Sequence, residues 1–194
     1  MMNVNEDGNL VRQAILGDRK AFNAIIIKHK NRVYCAAMRL VRNRDDAYDI
    51  TQDVFLNAYM NLKRFKGESD LFTWLYRITI NVSLNFMKRD KFRNMASVSD
   101  LVSEPESMMK SDERLNAVEL NSQLDRAIRE LPPQQRAIFV MRYYDEMSNA
   151  DIARILGRSE GAVKANYFQA IRKLRNSISD SKMPNANVLI RKEA

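Results

Sequence analysis

The stretch SNADIARILGRSEGAVKANYFQAIRKL, Ser148–Leu174, carries a helical pattern that breaks once, at Gly157, and then resumes with a run of bases. Ile152, Ile155 and Leu156 put one face of a short helix inward, and Ala153 is small enough for another helix to approach closely. Gly157 can take the positive φ of a sharp corner between helices, a conformation that costs a residue with a side chain. Ser159 is a good N-cap for a second helix, and Val163, Tyr167, Ala170, Ile171, Leu174 and Ile178 fall on one side of it. This order of small residue, glycine and β-branched residue is that of a helix-turn-helix.

The other side of the second helix carries Lys164, Phe168, Gln169, Arg172, Lys173 and Arg175, with Arg158 at the corner. A major groove admits one α-helix, whose first turns reach base edges while later cations hold phosphates. A basic run alone would suit a solvated face. Joined to this turn chemistry it points to DNA. By position, Arg158, Glu160, Lys164, Asn166 and Phe168 or Gln169 are the candidates for base edges, and Arg172, Lys173 and Arg175 for phosphates. Phe168 has two readings: it meets a thymine methyl, or it closes the core against Tyr143 or Tyr144.

The rest of the chain is consistent with a nucleic-acid partner. Its 194 residues carry a formal net charge of +8, which attracts a polyanion, and five glycines and four prolines leave little turn material for an all-β design. Mostly helices are expected. No window nears the roughly 18 apolar residues of a membrane span, and the polar, acidic start MMNVNEDGNLVRQ lacks the features of a secretory signal, so a cytoplasmic chain that is not an integral membrane protein is expected. One cysteine and one histidine give no internal disulfide and no Cys/His metal cluster, so no metal and no cofactor are expected. Cys35, in the apolar run RVYCAAMRLV, reads as a small packed thiol, and His29, between Lys28 and Lys30, as a solvated surface residue.

Composition divides the chain. Residues 10–92 are dense and periodic: Gly17-Asp18 is a stop and a fresh cap, NRDDAYDITQDVFLNAYMNLKRF opens on acids that favour the helix dipole, FKGESD is a polar break, and LFTWLYRITINVSLNFMKR restarts an aromatic-rich helix. The segment 93–112 is polar and proline-interrupted and reads as a linker. Periodicity returns over 113–178, where Pro132-Pro133 separates two helices, and 179–194 reads as a loose tail. The expectation is an all-α chain, two small helical domains on a flexible linker, the second holding the helix-turn-helix.

The first domain carries two further patterns. Asp46, Asp49 and Asp53, with Gln52 beside them, form an acidic ridge over a buried stripe of Ala47, Ile50, Val54 and Ala58. Such a ridge repels DNA and faces either a basic protein or solvent. After it, Phe65, Phe72, Trp74, Tyr76 and Phe86 are interleaved with Lys63, Arg64, Lys66, Arg77, Lys88 and Arg89. That mixture suits single-stranded nucleic acid, which needs faces to stack and charges for its phosphates, and it equally suits an aromatic core with snorkelling bases.

In this order, DAYDITQDVFLNAY, FKGESDLFTWLYRITIN and LPPQQRAIFVMRYYDEMSNADIARILGRSEGAVK resemble the bacterial RNA polymerase sigma factors of the extracytoplasmic-function (ECF) group, over nearly all of residues 10–178. The resemblance implies a sigma region 2 domain, a linker and a sigma region 4 domain. It implies that Asp49, Gln52, Asp53, Phe55, Leu56 and Asn57 dock on the coiled coil of the polymerase's largest subunit, with the flap of the second-largest subunit as a further contact. A loop, Phe65, Lys66, Gly67, Glu68, Ser69 and Asp70, would capture a base extruded from the minus-10 element. Trp74, Tyr76, Arg77, Ile80 and Asn81 of the next helix would read that strand, and Lys88 and Arg89 would hold phosphates. Extruding a base costs about a few kcal/mol, which local stacking and phosphate contacts must offset. The second domain would bind the minus-35 duplex through the helix beginning near Ser159.

The sequence departs from the family where ANYFQAIRKL stands in place of an arginine- and histidine-containing helix, which removes positive charge at Asn166 and Gln169, so promoter preference does not carry over from relatives. An anti-sigma protein is a further partner implied by the resemblance; no small-molecule substrate is. Two other functions compete. A stand-alone helix-turn-helix regulator would bind symmetric half-sites tightly without polymerase. A helical enzyme would need paired carboxylates, a glycine-rich phosphate cradle or a nucleophile with its base, and none stands out in the sequence.

Overall fold

Gly17 ends one helix and Asp18 begins the next. The glycine has φ 99°, and the aspartate carboxylate accepts from the backbone N–H of Lys20 at 2.8 Å and of Ala21 at 3.3 Å. A cap of this kind contributes about 1 kcal/mol to its helix. These residues join α1 (Val4–Ile15) to α2 (Arg19–Val41) in a computed structural model that describes residues 4–96 and 123–179. Helix α1 begins ahead of Leu10, where the apolar periodicity starts.

Asn43 repeats the device at the start of α3 (Arg44–Asn61), its side chain accepting from Asp45 at 2.9 Å and Asp46 at 3.1 Å. A short 3-10 turn, Leu62–Arg64, leads into the polar break, and α4 runs Leu71–Ala96. Helix α2 packs against both α1 and α3. The core between them holds Ile25, Val33 and Leu40 of α2 and Ala47, Ile50, Val54 and Ala58 of α3, the stripe expected from the sequence. On α4 the buried side includes Leu71, Leu75, Tyr76, Ile80, Leu84 and Met87. The chain divides into two compact units, residues 1–89 and 90–194.

In the second unit α5 (123–130) is followed by Pro132 and Pro133, and α6 (Pro133–Tyr143) starts on the proline pair as expected. Arg136 donates to the carbonyls of Arg129 and Leu131, which places a cation at the C-terminal end of α5. Helix α7 (Asn149–Leu156) is capped by Ser148, whose side chain accepts from Asp151 N–H at 3.1 Å, and α8 spans Glu160–Ser179. Helices α6, α7 and α8 pack on one another around Ile138, Met141, Ile152, Val163 and Ala170, all at most 1% exposed.

Among the described residues there is no strand, and no helix is long and apolar enough to cross a membrane. The linker expected over 93–112 lies outside the described residues from 97 onward, and the tail expected over 179–194 lies outside them from 180. Two expectations for single residues are overturned. His29 is buried at 3% exposure, because α1 lays Asp7 over that side of α2, and Cys35 is exposed because it falls outside the buried stripe of Val33, Ala36, Ala37 and Leu40.

Candidate nucleic-acid interfaces

Gly157 has φ 61° and ψ 44°, and the backbone N–H groups of Gly157 and Arg158 both turn back to the carbonyl of Ala153. The corner is therefore closed by backbone bonds that only a left-handed residue allows. Ser159 then caps α8, accepting from Ala162 N–H at 3.2 Å. Val163, Ala170 and Leu174 are buried and Tyr167 stands against Phe139 at 6.4 Å, so the opposite side of α8 is fixed as the outward one.

That outward side presents Arg158, Ser159, Glu160, Lys164, Phe168, Arg172, Lys173 and Arg175, all exposed. Phe168 is 65% exposed and so does not close the core; Tyr167 is the residue that closes on the α6 aromatics. Asn166 and Gln169 are half-buried. The Asn166 amide donates to the Ala162 carbonyl at 2.8 Å and the Gln169 carbonyl oxygen accepts from Arg172 at 3.0 Å, so both must change partners before they reach a base.

In the first unit the residues carried over from the resemblance sort by burial. On α3, Asp49, Gln52, Asp53 and Leu56 are exposed and Asn57 is half-buried, its amide donating to the Asp53 carbonyl at 2.8 Å. Leu56 at 58% and Met60 at 63% exposure extend the acidic ridge with an apolar strip. Phe55 is 6% exposed and packs inward, which corrects its assignment as a contact residue.

The loop Phe65–Asp70 is held at both ends. Phe65 donates its backbone N–H to the Leu62 carbonyl at 3.0 Å and sets its ring 5.4 Å from that of Trp74. Asp70 caps α4, its carboxylate accepting from Thr73 N–H at 3.0 Å. Burial works to raise the Asp70 carboxyl, but the hydrogen bonds from Thr73 and Phe72 and the positive charge of Arg32 outweigh it and hold the group below the usual carboxylate range. Gly67 takes φ 74°, and Lys66, Gly67, Glu68, Ser69 and Asp70 are exposed. Trp74 is half-buried, and Arg77, Asn81, Lys88 and Arg89 are exposed along α4.

Ile80 at 0% and Tyr76 at 7% exposure belong to the core, so neither reads a strand from this position. They fall on the inward side of α4 with Leu84 and Met87. Arg32, which no sequence pattern singled out, lies on α2 with its guanidinium carbon 3.4 Å from the centroid of the Phe72 ring. No local pattern announces a pairing between residues so far apart in the chain.

Sigma-70 region 2 matches residues 25–93 and sigma-70 region 4 matches residues 121–174. The ECF RNA polymerase sigma-E factor of Escherichia coli is 30% identical over 186 residues, covering 89% of this chain and 94% of its own. That of Haemophilus influenzae is 31% identical over 182 residues, covering 89% and 95%. The RNA polymerase sigma-H factor of Pseudomonas aeruginosa is 28% identical, covering 88% and 92%. Among solved structures, CnrH in complex with the cytosolic domain of CnrY superposes with a TM-score of 0.57 at 25% identity, over 92% of this chain and all (100%) of that one. RpoE of Bartonella quintana, in complex with the anti-sigma factor NepR, has the same fold, with a TM-score of 0.57 at 21% identity over 82% and 98%. With region 2 carrying the acidic ridge and the capped loop, region 4 carrying the helix-turn-helix, and 30–31% identity to sigma-E factors over nearly the full length, the chain belongs to the ECF group of the sigma-70 family.

Proposed function

We propose that this ECF sigma factor divides its work by surface. The exposed acids of α3, Asp49 and Asp53 with Gln52, Leu56 and Asn57, dock core RNA polymerase on the coiled coil of its largest subunit. The loop Phe65–Asp70 captures a base of the minus-10 element. Trp74, Arg77 and Asn81 meet the separated strand, and Lys88 and Arg89 hold its phosphates. The helix beyond Gly157 lies in the minus-35 major groove, with Arg158, Glu160, Lys164, Phe168 and Gln169 towards base edges and Arg172, Lys173 and Arg175 on phosphates. The polymerase supplies the chemistry, the chain itself catalyses nothing, and it acts in the cytoplasm. An anti-sigma protein and the flap of the second-largest subunit are its further partners.

The observation that carries the minus-35 assignment is the sorting of α8. Its apolar side is closed against α6, while outward cations and one aromatic remain in solvent beyond a glycine corner. The acids of α3 are the complement: a surface that would repel DNA suits a basic protein. Transcription with core polymerase on a library of genomic fragments tests partner and activity together. Promoter-dependent transcripts that need the chain are expected; tight binding to duplex DNA with no transcript would instead mark a stand-alone regulator.

A further inference from the structure

We propose that Arg32 is a positioning residue for the minus-10 loop, an assignment that rests on reading Phe65–Asp70 as the base-capturing loop. Phe72 is in the first turn of α4 and Asp70 is its cap, so these two residues fix where the loop ends and at what angle the helix leaves it. Arg32 meets Phe72 from α2 and acts on Asp70 through its charge. Its guanidinium lies over the face of Phe72 at 3.4 Å, and its charge helps to keep the Asp70 carboxylate ionised. A planar cation over an aromatic face is attracted by the ring's quadrupole, and an ionised cap binds N–H groups more strongly than a neutral one.

Phe72 also has a second neighbour on α2. His29, one turn earlier on α2, holds its ring nearly parallel to that of Phe72, at 17° and 6.3 Å. Asp7 of α1 stands 3.4 Å from the His29 Nε2, and Lys28 bridges Glu6 at 2.9 Å and Asp7 at 2.7 Å. A series of side chains thus runs from α1, through His29 of α2, to Phe72 in the first turn of α4. Captured bases are discriminated by the shape of the pocket that receives them. Fixing one wall of that pocket from α2 makes Arg32 act on base choice without touching DNA.

The competing role is a direct phosphate contact, and the two roles separate in a single set of measurements. The full chain is assembled with core polymerase on promoters selected with the wild type, premelted over the minus-10 element, in which only the base that enters the loop is varied. The positioning role predicts that Arg32→Gln lowers the ratio of transcription between the best and worst base by roughly three- to fivefold, the scale of a solvent-exposed cation–π contact. Arg32→Lys, which keeps a cation for both the ring and Asp70, restores most of that ratio. Affinity for core polymerase and the salt dependence of promoter binding stay at wild-type values in both variants, and the thermal midpoint of Arg32→Gln falls by no more than the few °C that one exposed contact carries.

An unchanged ratio in Arg32→Gln overturns the proposal. So does a fall of about one unit in the slope of log affinity against log salt with the ratio intact, which marks a phosphate contact. Parallel losses in melting temperature and polymerase affinity also overturn it, reducing Arg32 to a structural role. If the wild-type chain yields no transcript with core polymerase, the functional reading fails and takes this proposal with it; with an active wild type, only the role of Arg32 is at stake.

Discussion

The Nε2 of His29 stands 3.4 Å from the Oδ2 of Asp7, and the imidazole, on α2, is only 3% exposed beneath the carboxylate that α1 contributes. Burial of the ring penalises its protonated form, Asp7 favours that form, and the charges of Lys28 and Arg32 oppose it; the net effect lowers the His29 pKa. Helix α1 is thereby held against α2 beside an imidazole that burial keeps below its ordinary pKa.

This arrangement fixes the sign of a pH effect. A histidine whose folded-state pKa lies below the unfolded value of about 6.5 binds fewer protons when native, so stability rises with pH between the two values. The first unit should lose stability as pH falls below about 6.5, until the lowered native pKa is passed. The groups facing the imidazole are Asp7, Lys28 and Arg32, and none but Asp7 offsets the loss. Urea midpoints of the full chain, followed through Trp74 from about pH 7.5 to about pH 5, should fall more steeply for the wild type than for His29→Phe. Identical pH profiles would contradict the assignment.

Reversing the acidic ridge tests the polymerase surface. Asp49 and Asp53 are exposed on α3, so Asp49→Lys with Asp53→Lys removes no buried partner and should leave the thermal midpoint within a few °C of wild type, as surface changes usually do. Pull-down of core polymerase should drop at least about tenfold, the effect of placing like charges across an interface. Binding to minus-35 duplex by the second unit should be unchanged. Undiminished capture of polymerase would return the ridge to solvent.

Gly157 gives a cleaner energetic test. A Cβ added there meets nothing within 4 Å, so the only penalty in Gly157→Ala is the backbone one at φ 61°, about 1 kcal/mol. Gly157→Asn should recover part of it, because asparagine tolerates the left-handed region. Hydrogen exchange at the amides of α7 and α8 reads the loss directly. A penalty above about 3 kcal/mol would show that the corner depends on more than its dihedral angle.

How far these features could be read from the sequence depends on whether their cause is local. Asp18, Asn43, Ser148 and Gly157 act on neighbours two to four residues away, and the sequence displays both partners of each cap. The stripe Ala47, Ile50, Val54 and Ala58 is likewise periodic along one helix. His29 and Cys35 defeat that logic. Helix α2 is covered from two directions, and one cover, α1, opens on VNEDGN, where a single valine among polar residues and glycine announces no packing face. Ile80, Tyr76 and Phe55 are misplaced for a different reason: a resemblance transfers position along the chain, whereas contact with DNA or polymerase depends on which side of a helix is left uncovered. Arg32 and Phe72 meet only through tertiary packing, and their pairing has no signature in either segment.

On α8 the outward residues divide into two kinds, and their substitutions should fail differently. Arg172 and Lys173 are exposed well beyond the corner, where a helix lying in a major groove meets the phosphate backbone. Neutralising both, Arg172→Gln with Lys173→Gln, should weaken binding to every duplex alike and reduce the slope of log affinity against log salt by about one unit per lost contact. Phe168, 65% exposed and without a role in the core, should behave in the opposite way. Phe168→Ala should leave the salt slope and the thermal midpoint unchanged. It should narrow the preference for thymine over cytosine at one minus-35 position by about 1 kcal/mol, the low end of the discrimination that a base-edge contact carries. Selection of bound sequences from a randomised minus-35 element, run with both variants at two salt concentrations, separates the effects. A uniform affinity loss in Phe168→Ala would move that ring from base reading to backbone packing.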